Sequence, residues 1–293
     1  FVGLHWCSYP NKSKGRQISF PLTSTHSNAA PIETHPFVFE RVDPASLVER
    51  GGGQATFLDR RVMLVGCGAV GSVIAELLIK AGIGHLSLVD DDVLELGNIH
   101  RNQLGAQFQG VYKVKALAHE LTTRFPHAII QPHVGRIETL LQHDPRLFDE
   151  LDLVIFATGN HTVELEMNMR IRGRTPSPAV IFTWLEPLGI GGHALVTNIP
   201  NLKDRTGCFQ CLFEDREDGV FWNKASFAAP GQSFSRRTSG CATSFVSFGG
   251  VDATHTACLA VRLAQRVLEQ RQLEHALVSW RGDAYEFERA GFS

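Results

Sequence analysis

Charge of one sign is what this sequence lacks first. Its 28 Lys and Arg nearly balance 30 Asp and Glu, leaving a net charge of −2. That excludes a global basic field of the kind that draws a protein to nucleic acid or an anionic membrane. A bilayer-spanning run is also missing: residues 62–75 are cut by three glycines and end at Glu76. No secretory leader is visible. Cysteines are few, and Cys7, Cys67, Cys208, Cys211, Cys241 and Cys258 are irregularly spaced. No disulfide framework is expected from them, and a reducing, cytoplasmic setting fits. Walker A, H-E-x-x-H and G-x-S-x-G patterns are absent. The chain starts at Phe1 rather than Met, so a processed or truncated piece is expected, with a part missing before it.

What is present is organised around residues 61–92. An apolar run at residues 62–65 ends at Gly66-Cys67-Gly68-Ala69-Val70-Gly71, which fits G-x-G-x-x-G. A helix is expected over residues 70–81, then a strand over 86–89 ending on Asp90. Gly66 permits the tight turn, Gly68 lets backbone approach a phosphate, and Gly71 permits close helix packing. The helix N-terminus attracts anions, and Asp90 is placed to hold ribose hydroxyls. This unit points to a nucleotide without saying which. The bland reading is a tight strand–helix turn that binds nothing.

At 293 residues and 43% hydrophobic content, the chain suits one large domain with or without an extension. Residues 1–54 are read as an N-terminal extension or the tail of a preceding domain. They hold a short strand at 37–39, a short helix at 44–50 capped by Asp43, and a flexible hinge at Gly51-Gly52-Gly53. Residues 55–293 alternate strands with helices. Further helices are expected at 111–125, 163–172 and 252–270, with a helical or irregular piece at 140–150. Strands are expected at 129–134, 153–157, 180–184, 190–197 (antiparallel) and 276–280. Residues 198–240 read mostly as loop, a length that is usually functional. The fold class is therefore α/β: a doubly wound, mostly parallel, Rossmann-like sheet with a long cysteine-bearing crossover loop.

Beyond Asp90 come Asp92, Asn98, Arg101, Gln103 and Lys113, the lysine one turn into the next helix. Two cations and an amide near a glycine loop suit a triphosphate better than a nicotinamide cofactor. This ordered set resembles the ThiF/MoeB and ubiquitin-activating superfamily over about residues 58–282. The resemblance implies ATP- and magnesium-dependent adenylation of a carboxylate, usually the C-terminal glycine of a small protein. By this carry-over Gly66, Gly68, Gly71, Asp90, Asp92 and Asn98 bind the nucleotide. Arg101 and Lys113 neutralise its phosphates. Cys241, in Ser239-Gly240-Cys241-Ala242-Thr243, stands where ubiquitin-activating members carry the thioester-forming cysteine, with Arg236 and Arg237 nearby to activate the thiol. Cys67 is read as packing.

Within the superfamily the chain is most similar to the activating part of fused conjugating–activating enzymes of bacterial anti-phage operons. Those act with cGAS-like nucleotidyltransferases. The implied partners are a protein with a C-terminal carboxylate (ubiquitin-like, or a cGAS-like nucleotidyltransferase), a conjugating-enzyme domain, and a second copy in a homodimer. Neither nucleic acid nor membrane is expected. Two departures stand out. The family's magnesium-binding aspartate is expected in the turn Thr158-Gly159-Asn160, where this chain has Gly159. Cys208-x-x-Cys211 resembles half of a family zinc site, yet there is no second C-x-x-C, so no metal is assigned to it. Three alternatives stay open: a sulfur-carrier adenylyltransferase without a thioester, a non-catalytic nucleotide-binding scaffold, and a nicotinamide oxidoreductase. Against the last, Arg101 and Lys113 have no use and no hydride-transfer site is evident.

Overall fold

The computed structural model describes residues 41–174, 176–200, 207–215, 219, 221–237, 244–272 and 274–293. Asp43–Ser293 form one compact unit and Phe1–Val42 another. The larger unit opens with helix α1, Pro44–Arg50. Asp43 caps it, accepting the Ser46 amide at 3.1 Å, and Pro44 sits in the first turn, where a missing N–H costs nothing. The glycines after α1 are not the free hinge expected. The Gly53 amide donates to Val48 O at 2.9 Å and the Gln54 amide to Ala81 O at 2.8 Å. A Cβ on Gly53 would lie 2.6 Å from Lys80 O. Gly53 is thus set by close backbone packing. The expected boundary after residue 54 falls inside this compact unit, and the expected strand at 37–39 lies outside the described residues.

The elements follow in chain order: β1 (Arg61–Val65), α2 (Ala69–Ala81), β2 (His85–Asp90), α3 (Lys113–Arg124), β3 (Ile129–Val134), α4 (Ile137–His143), β4 (Leu153–Phe156), α5 (His161–Arg172), β5 (Ala179–Leu185) and β6 (Gly191–Thr197). Short strands β7 (Phe213–Asp215) and β8 (Phe221–Asn223) pair as one antiparallel ribbon. β9 (Ser235–Arg237) and β10 (Ser244–Val246) pair as another. Then come α6 (Gly250–Leu268), β11 (Ala276–Arg281) and α7 (Tyr285–Arg289). The stretch read as loop thus carries paired strands. At three residues each they are too short to show a period of two.

The main sheet runs β11-β6-β5-β4-β1-β2-β3. Strands β1 to β5 are parallel, while β6 and β11 each run antiparallel to their neighbour. Both faces of β1 are covered. Val62 and Leu64 pack with Ile74 and Leu78 of α2, Leu117 of α3 and Ala260 of α6. Met63 and Val65 pack on the other side with Leu141 of α4 and Met167 and Ile171 of α5. That two-sided burial is why these strands read as unbroken apolar runs. Glu76 of the buried α2 takes two bonds from Arg124 of α3, at 2.9 and 2.6 Å. Those bonds outweigh burial and hold its carboxyl below the ordinary range. No helix among the described residues is long and apolar enough to cross a membrane.

Candidate nucleotide-binding site

The strand order reverses at β1, which lies between β2 and β4. In open α/β sheets ligands bind outside the carboxyl ends of the strands at such a point. A cavity of about 380 Å³ opens there, lined among others by Gly66, Gly68, Asp90, Asp92, Lys113 and Arg136.

The glycine loop is built by contact. Gly66 has φ +95°, and a Cβ on it would lie 2.6 Å from Ala157 O. A Cβ on Gly71 would lie 1.8 Å from Gly66 O, so the start of α2 can come this close to β1 only with glycine at that position. Gly68 differs: nothing of the protein lies within 4 Å of where its Cβ would be. The chain itself needs no glycine here, and the space left opens onto the cavity. Gly68 is also the N-cap of α2 and offers no side chain to the first-turn amides. Those amides and the helix dipole favour an anion.

Asp90 closes the loop from β2. Its Oδ2 accepts the Cys67 amide at 2.6 Å and its Oδ1 the Asp92 amide at 2.8 Å. Burial raises its pKa, and these two bonds and the Lys113 charge oppose the rise. Each oxygen keeps a second lone pair for a ligand donor. Burial, helped by the Asp90 charge, also pushes the Cys67 thiol well up, as suits a packing residue. Asp92 Oδ2 meets Lys113 Nζ at 2.7 Å, and the Lys113 amide donates to Asp92 O at 2.9 Å. The lysine at the mouth of α3 is thereby aimed along the cavity wall.

Asn98 and Arg101 are not brought into this cavity. Asn98 Oδ1 accepts the Glu95 amide at 3.1 Å, capping a single turn. The Arg101 guanidinium stacks over the Phe248 ring, 5.1 Å from its centroid. Cys241 lies outside the described residues. Sequence reasoning missed three residues. Arg136 lines the cavity and donates from Nε to Asp91 Oδ2 at 3.1 Å; its signal was a Gly-Arg pair straight after a parallel strand. Asn102 donates to Cys67 O at 3.0 Å, tying the segment after β2 to the glycine loop.

Glu164 is the third. It lies fully buried behind the turn Thr158-Gly159-Asn160, where its Oε1 accepts the Thr158 hydroxyl at 2.8 Å. Burial pushes its carboxyl up to about 8, against the lowering pull of bonds from the Thr158 hydroxyl and the Thr158 and Gly159 amides. Asn160 caps α5 through Oδ1 to the Thr162 and Val163 amides. Gly159 has φ +64° and open space around its missing Cβ. The carboxylate oxygens of Asp90, Asp91 and Asp92 lie within 4.8 Å of one another, a set of hard donors suited to a divalent cation.

Known proteins carry the same pattern. Cap2 of Pseudomonas aeruginosa, an ATP-dependent ubiquitin transferase-like protein, is 29% identical over 206 residues, 68% of this chain and 35% of its own length. Ubiquitin-like modifier-activating enzyme 5 of Drosophila pseudoobscura pseudoobscura is 28% identical over 201 residues, 64% of this chain and 47% of the relative. The chain therefore spans a third to a half of these relatives. In shape it is similar to the Microcin C7 biosynthetic enzyme MccB, solved with N-formylated MccA, at a TM-score of 0.55 and 16% identity over 80% of this chain and 67% of that one. E. coli MccB solved with ATP gives a TM-score of 0.54 at 16% identity, covering 80% and 65%. Residues 44–279 match the ThiF family across the glycine loop, the Asp90–Lys113 segment and all seven strands of the main sheet, and the chain belongs to that family.

Proposed function

We propose that this chain uses ATP to adenylate the C-terminal carboxylate of a protein or peptide. The observation that carries this reading is the grouping of Gly68, the α2 N-terminus, Asp92, Lys113 and Arg136 around one cavity at the strand switch point. Such a site performs phosphoryl chemistry by positioning and charge neutralisation, with no protein nucleophile needed for the first step. A carboxylate oxygen attacks the α-phosphorus, the bond to the β-phosphate oxygen breaks, and pyrophosphate leaves. Asp90 holds the ribose hydroxyls through its spare lone pairs. The α2 amides and Lys113 take phosphate oxygens, and Arg136 is the second cation of the wall. Arg101 joins them only by leaving the Phe248 ring. Magnesium, when bound with the nucleotide, spreads positive charge over the phosphate oxygens. Asp92 is the residue we assign to it, because both oxygens of Asp90 already accept amides.

The second step in this reading is attack by the Cys241 thiolate on the acyl-adenylate, which releases AMP and leaves a thioester. A conjugating cysteine then takes the acyl group. The sequence resemblance supports this step, as does similarity to two relatives with ubiquitin-type activation in their names. A homodimer and a role in bacterial anti-phage conjugation belong to the same reading, supported by the similarity to Cap2. Substrate-dependent exchange between ATP and labelled pyrophosphate is the test of adenylation; no exchange with any C-terminal peptide or protein offered would sink it. For the thioester, a DTT-sensitive adduct should form with ATP and magnesium and vanish in Cys241→Ala while exchange persists. Product formation that survives Cys241→Ala would favour the sulfur-carrier type.

A further inference from the structure

Behind β5, away from the nucleotide cavity, the single C-x-x-C segment makes a site of its own. Cys208 is the N-cap of a short turn, Phe209–Leu212, that brings the two sulfurs within 3.6 Å of each other. A one-turn spacing of three residues puts Cβ atoms about 5–6 Å apart, within reach of the disulfide geometry once the sulfurs rotate. Cys208 is 6% exposed, while Cys211 is at the surface. Arg172, in the last turn of α5, donates from Nη1 to Cys208 Sγ at 3.2 Å. Burial alone would raise the Cys208 thiol. Bonds from the Asn168 side chain and from the amide and thiol of Cys211, together with the Arg172 charge, bring it below its ordinary value instead. Several donors and a cation converging on one sulfur next to an accessible thiol is the arrangement of a reactive dithiol. A tetrahedral metal would need four ligands, and among the described residues no third Cys, His, Asp or Glu joins this pair in a possible ligand group.

We propose that Cys208 and Cys211 are a redox-active pair that closes to an intramolecular disulfide with small disulfides such as oxidised glutathione. The exposed Cys211 sulfur attacks one sulfur of the small disulfide, forming a mixed disulfide and expelling one thiolate. The Cys208 thiolate then attacks Cys211 Sγ, the mixed bond breaks, and a second small thiolate leaves. Two protein thiols are oxidised, one small disulfide is reduced to two thiols, and the two thiol protons pass to solvent. Between the two cysteines, Phe209 is fully buried, stacked on Phe182 at 4.5 Å and on His161 at 5.8 Å. Closure therefore fixes a turn anchored on the same helix, α5, whose first residues follow the Thr158-Gly159-Asn160 turn. This inference does not rest on the adenylation reading.

The test equilibrates the whole chain in glutathione buffers of graded ratio, traps free thiols by alkylation, and maps cysteine peptides by mass. The expected result is a two-hydrogen loss linking Cys208 to Cys211, with a defined midpoint and reversal by reduced glutathione. Because Arg172 favours the reduced thiolate, Arg172→Gln should shift the equilibrium towards the disulfide, by about tenfold in its constant. A merely structural role for Arg172 would not move this midpoint. Cys211→Ser should instead leave Cys208 as a stable mixed disulfide or unreacted, with no internal link. The proposal is overturned if both cysteines stay alkylatable at every ratio. It is equally overturned if the purified chain carries one zinc that thiol reagents release.

Discussion

Lys113 Nζ sits 2.7 Å from Asp92 Oδ2, the lysine side chain 9% exposed and the aspartate 67%. The pair is lopsided: water can solvate the carboxylate without the lysine, but not the ammonium without the carboxylate. Lys113→Met should therefore fold normally and lower ATP–pyrophosphate exchange by about 10²-fold or more. Asp92→Ala should cost roughly 1–3 kcal/mol of stability by leaving a buried donor unpartnered. Melts and exchange rates of the two variants check this. A stable Asp92→Ala would mean that Lys113 finds another partner.

Gly68 and Gly71 separate ligand space from packing. Gly68→Ala meets nothing of the protein within 4 Å, whereas Gly71→Ala meets Gly66 O at 1.8 Å. Gly68→Ala should keep its melting temperature within a few degrees and lose nucleotide affinity in a fluorescent-nucleotide titration. Gly71→Ala should unfold early, by well over 1 kcal/mol. Equal melting temperatures would refute the division.

Gly159→Asp tests the missing acid. The site has room, and its φ of +64° is one that Asp tolerates better than most residues, at a cost of about 1–2 kcal/mol. Magnesium titration of the exchange reaction should show half-saturation at a lower metal concentration than in the wild type. An unchanged magnesium curve would show that the turn does not face the metal.

Glu164 ties stability to pH. Its folded carboxyl is pushed up to about 8 from an ordinary 4.5, so between those values the folded state holds a proton that the unfolded state has lost. This contribution is present in full below about 4.5 and is lost as pH rises through about 8, at no more than about 1.4 kcal/mol per pH unit. Glu164→Gln removes the titration. Its melting temperature should gain on the wild type from pH 5 to 8 and run parallel above that. Parallel curves throughout would show that Glu164 is already ionised.

The sheet was legible because β1, β4 and β5 are buried on both faces and the glycines punctuate them. Asp43, Pro44 and Gly51 marked α1 to the residue. The hinge was misread because a glycine run looks the same whether it is free or, like Gly53, pressed against backbone distant in sequence. In the site, Lys113 and Asp92 were readable from spacing. Asn98 and Arg101 share that spacing, yet a local cap and an aromatic ring hold them elsewhere. Arg136 reaches the cavity only because β3 is the parallel neighbour of β2, a fact of sheet order rather than of local sequence.

The two amide bonds to Asp90 have a mechanical consequence. One carboxylate grips both the glycine loop through Cys67 and the start of the Asp92–Lys113 segment. Under the proposed chemistry a sugar hydroxyl donating to Asp90 would draw on the same two oxygens. Anything that alters the sugar end, such as a 2′-deoxy nucleotide, should then be felt at the phosphate end as a change in turnover as well as in affinity. The nucleotide's two halves would be read by a single hinge pin.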